Sequence, residues 1–276
     1  MNLKHIDAHC HLQFPDYTSD REELLTKMRE EEVAAIVVGA DEKSSREAVE
    51  LAEKNEHLFA TVGIHPSYAG DTNVGLPMSN IRELTKNLKV VAIGECGLDY
   101  FAHFVALAKE CREINDELKN KQKELFKKHI ELAALVDKPL MIHVRPSKNS
   151  NDAYQDIIEI LKEAKKEYPN LRGDIHFFAG GLAEAEEFFK LDFTISFTAV
   201  ITFSRDYDEV IKNVSLQNIL AETDAPYVAP ASRRGQRNDP FAVIDVVAKI
   251  AEIRGEEVEM VRKVLLENTK RLFKLP

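Results

Sequence analysis

The chain has 276 residues, 44% hydrophobic and 30% charged, with 11 Gly and 10 Pro, which excludes collagen-like, low-complexity and disordered classes. Its 37 Lys and Arg against 47 Asp and Glu leave a formal charge of −10, which excludes a protein that holds nucleic acid by bulk electrostatics; such a substrate has to be recognised locally. No apolar run approaches the ~18 residues of a membrane span, and the opening MNLKHIDAHCHL has no basic-then-apolar signal pattern, so a cytoplasmic protein without a membrane partner is expected.

In chain order, Leu3 to His9 reads as a first strand. Ser19 with Glu22 three residues on reads as a capping box, followed by the apolar stripe Leu24, Leu25 and Met28. Continuous apolar runs follow at 34–39, 58–63, 90–94, 139–143, 193–196 and 218–221, with a less uniform one from Arg172 to Phe177. Short β-branched runs of this kind are what a parallel sheet covered on both faces requires. Between them lie amphipathic helices. The longest is expected from Glu113 to Val136, with Leu118, Leu125 and Leu132 at seven-residue spacing. Ile157, Leu161 and Ala164 mark another, capped by Asn151 or Asp152. Eight strands alternating with helices, without a linker or short repeat, favour a single (β/α)8 barrel domain over residues 1–276 rather than a doubly wound sheet. The tail from Glu256 to Leu275 is expected to add one or two helices packed on the barrel.

In such a barrel, polar groups at the C-terminal strand ends converge on one mouth. Here those ends carry Asp7-Ala8-His9-Cys10-His11, Glu95, His143, His176 and Glu222-Thr223-Asp224. Residues i and i+2 of a strand share a face, so His9 and His11 present two imidazoles to one ion. Each residue alone has an ordinary explanation: a packed histidine, a salt-bridged Glu95, or an Asp224 that caps the turn at Ala225-Pro226. Asp7, one pleat before His9, suits either a ligand or a partner to an imidazole N–H. Together they exceed the three protein ligands of a mononuclear catalytic site. Two divalent ions bridged by one carboxylate would use them all, and the nitrogen and oxygen donors suit Mg, Mn or Zn. His5 reads as structural, His57 and His129 as solvated, and His103 falls in an irregular segment without an assignment. Cys10, Cys96 and Cys111 are odd in number and lack CxxC spacing, so small, at least partly buried thiols are expected.

Taken with 63–66 (GIHP), 94–100 (GECGLDY), 222–227 (ETDAPY), 234–240 (RGQRNDP), Asn268-Thr269 and Phe273, these blocks resemble the TatD-related metal-dependent deoxyribonucleases over essentially the whole chain. The resemblance implies a TIM-barrel hydrolase of the amidohydrolase type that cleaves phosphodiester bonds in DNA. It also implies that His9, His11 and Asp224 hold one metal, that Glu95 bridges, and that His143 and His176 hold the second. His65 and Arg145 would line the substrate side. Departures from the family pattern are Val144, Pro146 and Ser147 around Arg145, Gln236 in place of a lysine, and a longer segment between Tyr100 and Phe126.

On this reading Asp224 orients the attacking water or takes its proton, and Arg145, Arg234 and Arg237 fork onto phosphate oxygens. Arg233, Arg234 and Arg237 form the one basic cluster on an acidic chain, which restricts engagement to a strand end or short single strand of DNA. No obligate protein partner is evident. The alternatives are hydrolysis of a small amide, lactone or ester on the same barrel, and a non-catalytic metal-binding scaffold. The HxE and PCxxC pattern of zinc deaminases is absent.

Overall fold

In a computed structural model the described residues are 3–70, 78–101, 103–105, 110–112 and 114–276, with the side chains of 103–105 and 110–112 outside the description. Expectations that rest on Glu113 or on the side chains of His103, Phe104 and Cys111 therefore lie outside it. In chain order the elements are β1 (His5–Cys10), α1 (Arg21–Glu30), β2 (Val33–Val38), α2 (Glu42–Lys54), β3 (Leu58–Val62), α3 (Met78–Leu84) and β4 (Val90–Asp99). Then come β5 (His103–Val105), β6 (Glu110–Arg112), α4 (Asp116–Val136), β7 (Leu140–Arg145), α5 (Asp152–Glu167), β8 (Gly173–His176) and α6 (Leu182–Lys190). The chain finishes with β9 (Phe193–Phe197), α7 (Asp208–Asn213), β10 (Ile219–Ala221), α8 (Ala242–Arg254) and α9 (Val258–Phe273).

Eight parallel strands form one sheet in the order β1-β2-β3-β4-β7-β8-β9-β10. The chain just beyond β10 closes it against β1: Asp224 N–H donates to His9 C=O at 2.9 Å and His11 N–H to Ala225 C=O at 2.7 Å. The result is a (β/α)8 TIM barrel with α9 as an additional C-terminal helix. Alternate strand residues separate two apolar regions. Val33, Ala35 and Val37 pack outward in the main core, whereas Ile36, Val38, Phe59, Met141 and Leu220 fill a second cluster that is closed by Leu272 and Phe273 from the end of α9. Among the described residues no helix is long and apolar enough to cross a membrane.

Three local expectations need correction. No capping box forms at Ser19: α1 starts after Asp20, whose side chain makes no cap bond and instead takes the Arg237 guanidinium. His57 and His129 are buried, not solvated. His129 Nε2 accepts the Ile64 N–H at 3.0 Å while Nδ1 donates to Leu125 C=O at 2.8 Å, so the neutral ring braces the turn that carries His65. The strand expected to end at Gly94-Glu95 runs on to Asp99, and a small antiparallel β5–β6 hairpin follows.

Two bulges aim the polar strand ends. Pairing of β1 with β2 slips by one residue between Asp7 and Cys10. Upstream of the slip, Ile6 and Ala8 face the barrel interior; beyond it Cys10 joins the outer core, which turns His9 and His11 toward the mouth. Pairing of β4 with β7 slips between Ile93 and Cys96, on either side of Glu95. Gly94 (φ +148°) and Gly97 (φ +130°) permit the close approach: a Cβ on Gly94 would stand 2.4 Å from Met141 O, and one on Gly97 2.1 Å from His143 O.

Candidate metal centre

Glu95 lies at the centre of the mouth, and its two oxygens face different groups. Oε2 is 3.8 Å from His9 Nε2 and 3.9 Å from His11 Nε2. Those nitrogens lie 3.2 Å apart and 3.7 and 3.5 Å from Asp224 Oδ1. Oε1 is 3.0 Å from His143 Nδ1 and 2.9 Å from His176 Nε2, which are themselves 3.2 Å apart. Donor atoms around one cation at ~2.1 Å stand roughly 3.0–3.5 Å from each other; the second cluster has this spacing, the first is wider with its longest separation at 3.9 Å, and Glu95 joins the two. His9 Nε2 and His11 Nε2, 3.2 Å apart with the nearest carboxylate oxygen 3.5 Å or more away, fit a shared cation better than a hydrogen-bonded pair. The sequence-derived candidates His9, His11, Glu95, His143, His176 and Asp224 thus come together.

Electrostatics in the cluster follow from its carboxylates. Burial and the neighbouring His176 hold His9 well below the ordinary histidine range. Burial also acts to lower His11, His143 and His176, but carboxylates outweigh it: Asp224 and Glu95 raise His11, Asp99 and Glu95 raise His143, and Glu95 and Glu222 raise His176. Glu95 is held well below the carboxylate range because His65 and His176 overcome the cost of its burial. Burial lowers His65 to about 3; its Nε2 is 3.5 Å from Glu95 Oε1, and its Nδ1 accepts the Ser67 N–H at 3.2 Å.

Beneath the candidate ligands lies a layer of buried carboxylates. Asp7 is not placed as a ligand. Its oxygens accept the backbone N–H groups of His9 (3.2 Å) and Thr223 (2.8 Å) and the Thr223 hydroxyl (2.5 Å), tying the end of β1 to the segment after β10. Glu222 accepts the Phe177 N–H at 2.7 Å and the Ser196 hydroxyl at 2.8 Å, with Oε1 3.5 Å from His176 Nδ1. Ser196 Oγ also stands 2.6 Å from Asp174 Oδ2. One hydroxyl proton cannot serve two carboxylates, and burial beside Glu222 pushes Asp174 up to about 7. On the other side, Asp99 Oδ2 is 3.4 Å from His143 Nε2 and Oδ1 accepts the Phe101 N–H at 3.1 Å. Buried Gln122 fixes the Asp99 backbone by accepting its N–H and donating to its C=O, both at 2.9 Å.

Asp224 occupies a turn with positive φ (52°), as does the β-branched Val228 (52°), a conformation that persists only when its surroundings over-determine it. Buried Asn238 does so: Nδ2 donates to Thr223 C=O (3.1 Å) and Val228 C=O (3.3 Å), its N–H donates to Pro226 C=O (3.0 Å), and its own C=O accepts the Tyr17 hydroxyl (2.7 Å). Asn238, Asp99 and Glu222, which the sequence did not single out as site residues, and His129, read from it as solvated, brace the segments that carry the candidate ligands. The available signal for Asp99 and Glu222 was their place as further carboxylates on strand ends already rich in ligands.

The clusters open into a cavity of about 720 Å³ lined also by Phe14, Tyr68, Phe177 and Tyr227. Among the described residues Arg145 is the only Lys or Arg in the lining, and its guanidinium lies 4.1 Å over the Phe101 ring. His65 lines the cavity too. Arg234 does not; it stacks 4.0 Å over Phe203. Arg237 is spent on Asp20, on Asp16 C=O at 2.6 Å and on the Tyr17 ring at 4.5 Å, and Arg233 pairs with Asp239 at 2.5 Å. The basic cluster in the sequence is therefore not a cluster of free cations.

Comparison with known proteins agrees with the fold and with metal-dependent hydrolysis. The family model for TatD related DNase matches residues 6–274. The "Uncharacterized metal-dependent hydrolase YabD" of Bacillus subtilis (strain 168) is 36% identical over 98% of both chains. The "Uncharacterized metal-dependent hydrolase MJ1582" of Methanocaldococcus jannaschii is 30% identical over 99% of this chain and 98% of its own. Among solved structures, the TatD homolog YJJV from Escherichia coli K12 covers 100% of both chains with a TM-score of 0.83 at 28% identity. An Entamoeba histolytica hydrolase at 20% identity and a TM-score of 0.82 shares the fold over 100% of both chains. The chain belongs to the TatD-related DNase family and is a metal-dependent hydrolase.

Proposed function

We propose that the protein is a deoxyribonuclease that uses two divalent cations, Mg, Mn or Zn, to cleave phosphodiester bonds at the ends of DNA strands or in short single strands. The observation that carries this reading is the pair of donor clusters on the two oxygens of Glu95, open to a cavity with one arginine and an aromatic lining. His9, His11, Asp224 and Glu95 would hold one ion, and His143, His176 and Glu95 the other. Bound divalent cations supply Lewis acidity, lowering the pKa of water and neutralising charge on phosphoryl oxygens. Both Glu95 oxygens are engaged by histidines, whereas Asp224 meets His9 and His11 through Oδ1, leaving its other oxygen to orient the attacking water and accept its proton. Arg145, preordered on Phe101, forks onto a phosphate oxygen. His65, neutral and at the cavity wall, orients the same group. Aromatic faces such as Tyr227, which is 52% exposed, suit stacking against unpaired bases.

A second reading, hydrolysis of a small lactone, amide or ester, is favoured by the single lining cation, since a long polyanion is normally met by several. The test is incubation of metal-loaded protein with end-labelled single-stranded DNA, blunt duplex and a lactone panel. Trimming of single strands supports the proposal; turnover of lactones with intact DNA overturns it. Glu95→Ala separates either reading from a non-catalytic scaffold, because activity that survives it excludes a bridging carboxylate.

A further inference from the structure

Resting on the two-cation reading, we infer that Asp99 and Glu222 are positioning residues that make the two cation positions chemically unequal: each histidine of the second position is backed by a buried carboxylate. His143 turns Nδ1 toward Glu95 and presents Nε2 to Asp99 Oδ2 at 3.4 Å. His176 turns Nε2 toward Glu95 and presents Nδ1 to Glu222 Oε1 at 3.5 Å. His143 Nε2 and His176 Nδ1 have no closer hydrogen-bond partner. Each outer nitrogen therefore has one anionic acceptor to donate to, and that acceptor is itself anchored by a backbone N–H, of Phe101 or Phe177.

The first position is built otherwise. His11 Nδ1 meets the neutral carbonyl of Val38 at 2.8 Å, and His9 Nδ1 has no hydrogen-bond partner. His9 is kept in place by stacking on His176, with ring centroids 3.9 Å apart at 15°. A carboxylate behind an imidazole fixes its tautomer and raises its basicity as a ligand, and removing such a partner costs roughly 10–100-fold in metal affinity. Asp99 and Glu222 thus confer tight binding on the His143/His176 position alone.

The test is zinc titration against a chromophoric chelator, with metal content after dialysis, on wild type, Glu222→Gln and Asp99→Asn. Both amides keep the side-chain shape and can still accept the Phe177 or Phe101 N–H. Far-UV circular dichroism and the unfolding midpoint of each apoprotein check that the barrel is intact. The expected result is two ions in the wild type and a roughly 10–100-fold loss in one binding step only in each variant. His11→Ala, which disables the other position, assigns the step: adding Glu222→Gln to it must weaken the binding that remains. Wild-type affinity in both steps, or equal loss in both, overturns the assignment of Asp99 and Glu222. Three ions in the wild type with only the third lost in Asp99→Asn or in Glu222→Gln also overturn it, because that carboxylate would then be a ligand, Asp99 in the group it forms with His65 and His143 or Glu222 in the group it forms with His9 and His176. A wild type that holds a single ion instead overturns the two-cation reading itself, and the inference with it.

Discussion

Arg145, the last residue of β7, and Arg237, in the segment between β10 and α8, are the same amino acid, yet only one lines the cavity and is available to a substrate. Arg237 is neutralised by Asp20 in bidentate fashion, whereas Arg145 lies on the face of Phe101 with its fork free for an anion. Arg145→Lys keeps the charge and loses both the fork and the stacking, so KM for a DNA substrate should rise about 10-fold with kcat within ~2-fold. Steady-state kinetics check this, and an unchanged KM would place the phosphate elsewhere. The candidate ligands were legible in the sequence because alternation in a strand gives His9 and His11 a shared direction, and strand ends of a barrel meet at one mouth. The role of Arg237 was not legible, since its partner lies far away in the chain and a pattern of basic residues carries no information about which of them are already paired.

Among the elements, β4 departs furthest from what its sequence suggests. Glycine inside a strand reads as its end, yet Gly94 and Gly97 are the residues that let β4 continue past Glu95 with its backbone against β7. Gly97→Ala places a methyl group 2.1 Å from His143 O at a backbone angle that alanine rarely adopts. The variant should lose about 2 kcal/mol or more of stability and displace His143. Urea unfolding of the apoprotein gives the first quantity and bound metal the second; a variant as stable as wild type and fully loaded would contradict the packing argument. The same locality explains the misplaced cap of α1. Ser19 and Glu22 have the right spacing, but the helix starts one residue later with Asp20 at the cap position, and the Asp20 carboxylate is held by Arg237 from far along the chain.

For the molecule as a whole, the alternation of apolar runs and amphipathic helices made the barrel legible. His57 and His129, read from the sequence as solvated, are both buried. His129 is buried and uncharged, with burial lowering it from 6.5 to about 4, and His57 and His5 are likewise lowered to about 4. The unfolded chain takes up these protons near pH 6.5 while the folded chain resists until about pH 4. The stability held above pH 6.5 is therefore lost progressively as the pH falls toward 4, by about 3 kcal/mol for His129 alone. Thermal unfolding of the apoprotein between pH 7 and pH 4.5 should show this loss. His129→Gln should start lower and fall less steeply; a parallel decline would assign the acid sensitivity to other groups.

The hydrogen bond from Asp224 N–H to His9 C=O joins the last strand's end to the first, and the two residues it links belong to one candidate ion site. Closing the barrel and completing that site are consequently the same event. While the chain is being synthesised, His9 and His11 emerge long before Asp224, and no local segment holds a full donor set. An ion in the first position would thus count only finished barrels, and its release would report the parting of β1 from the chain after β10.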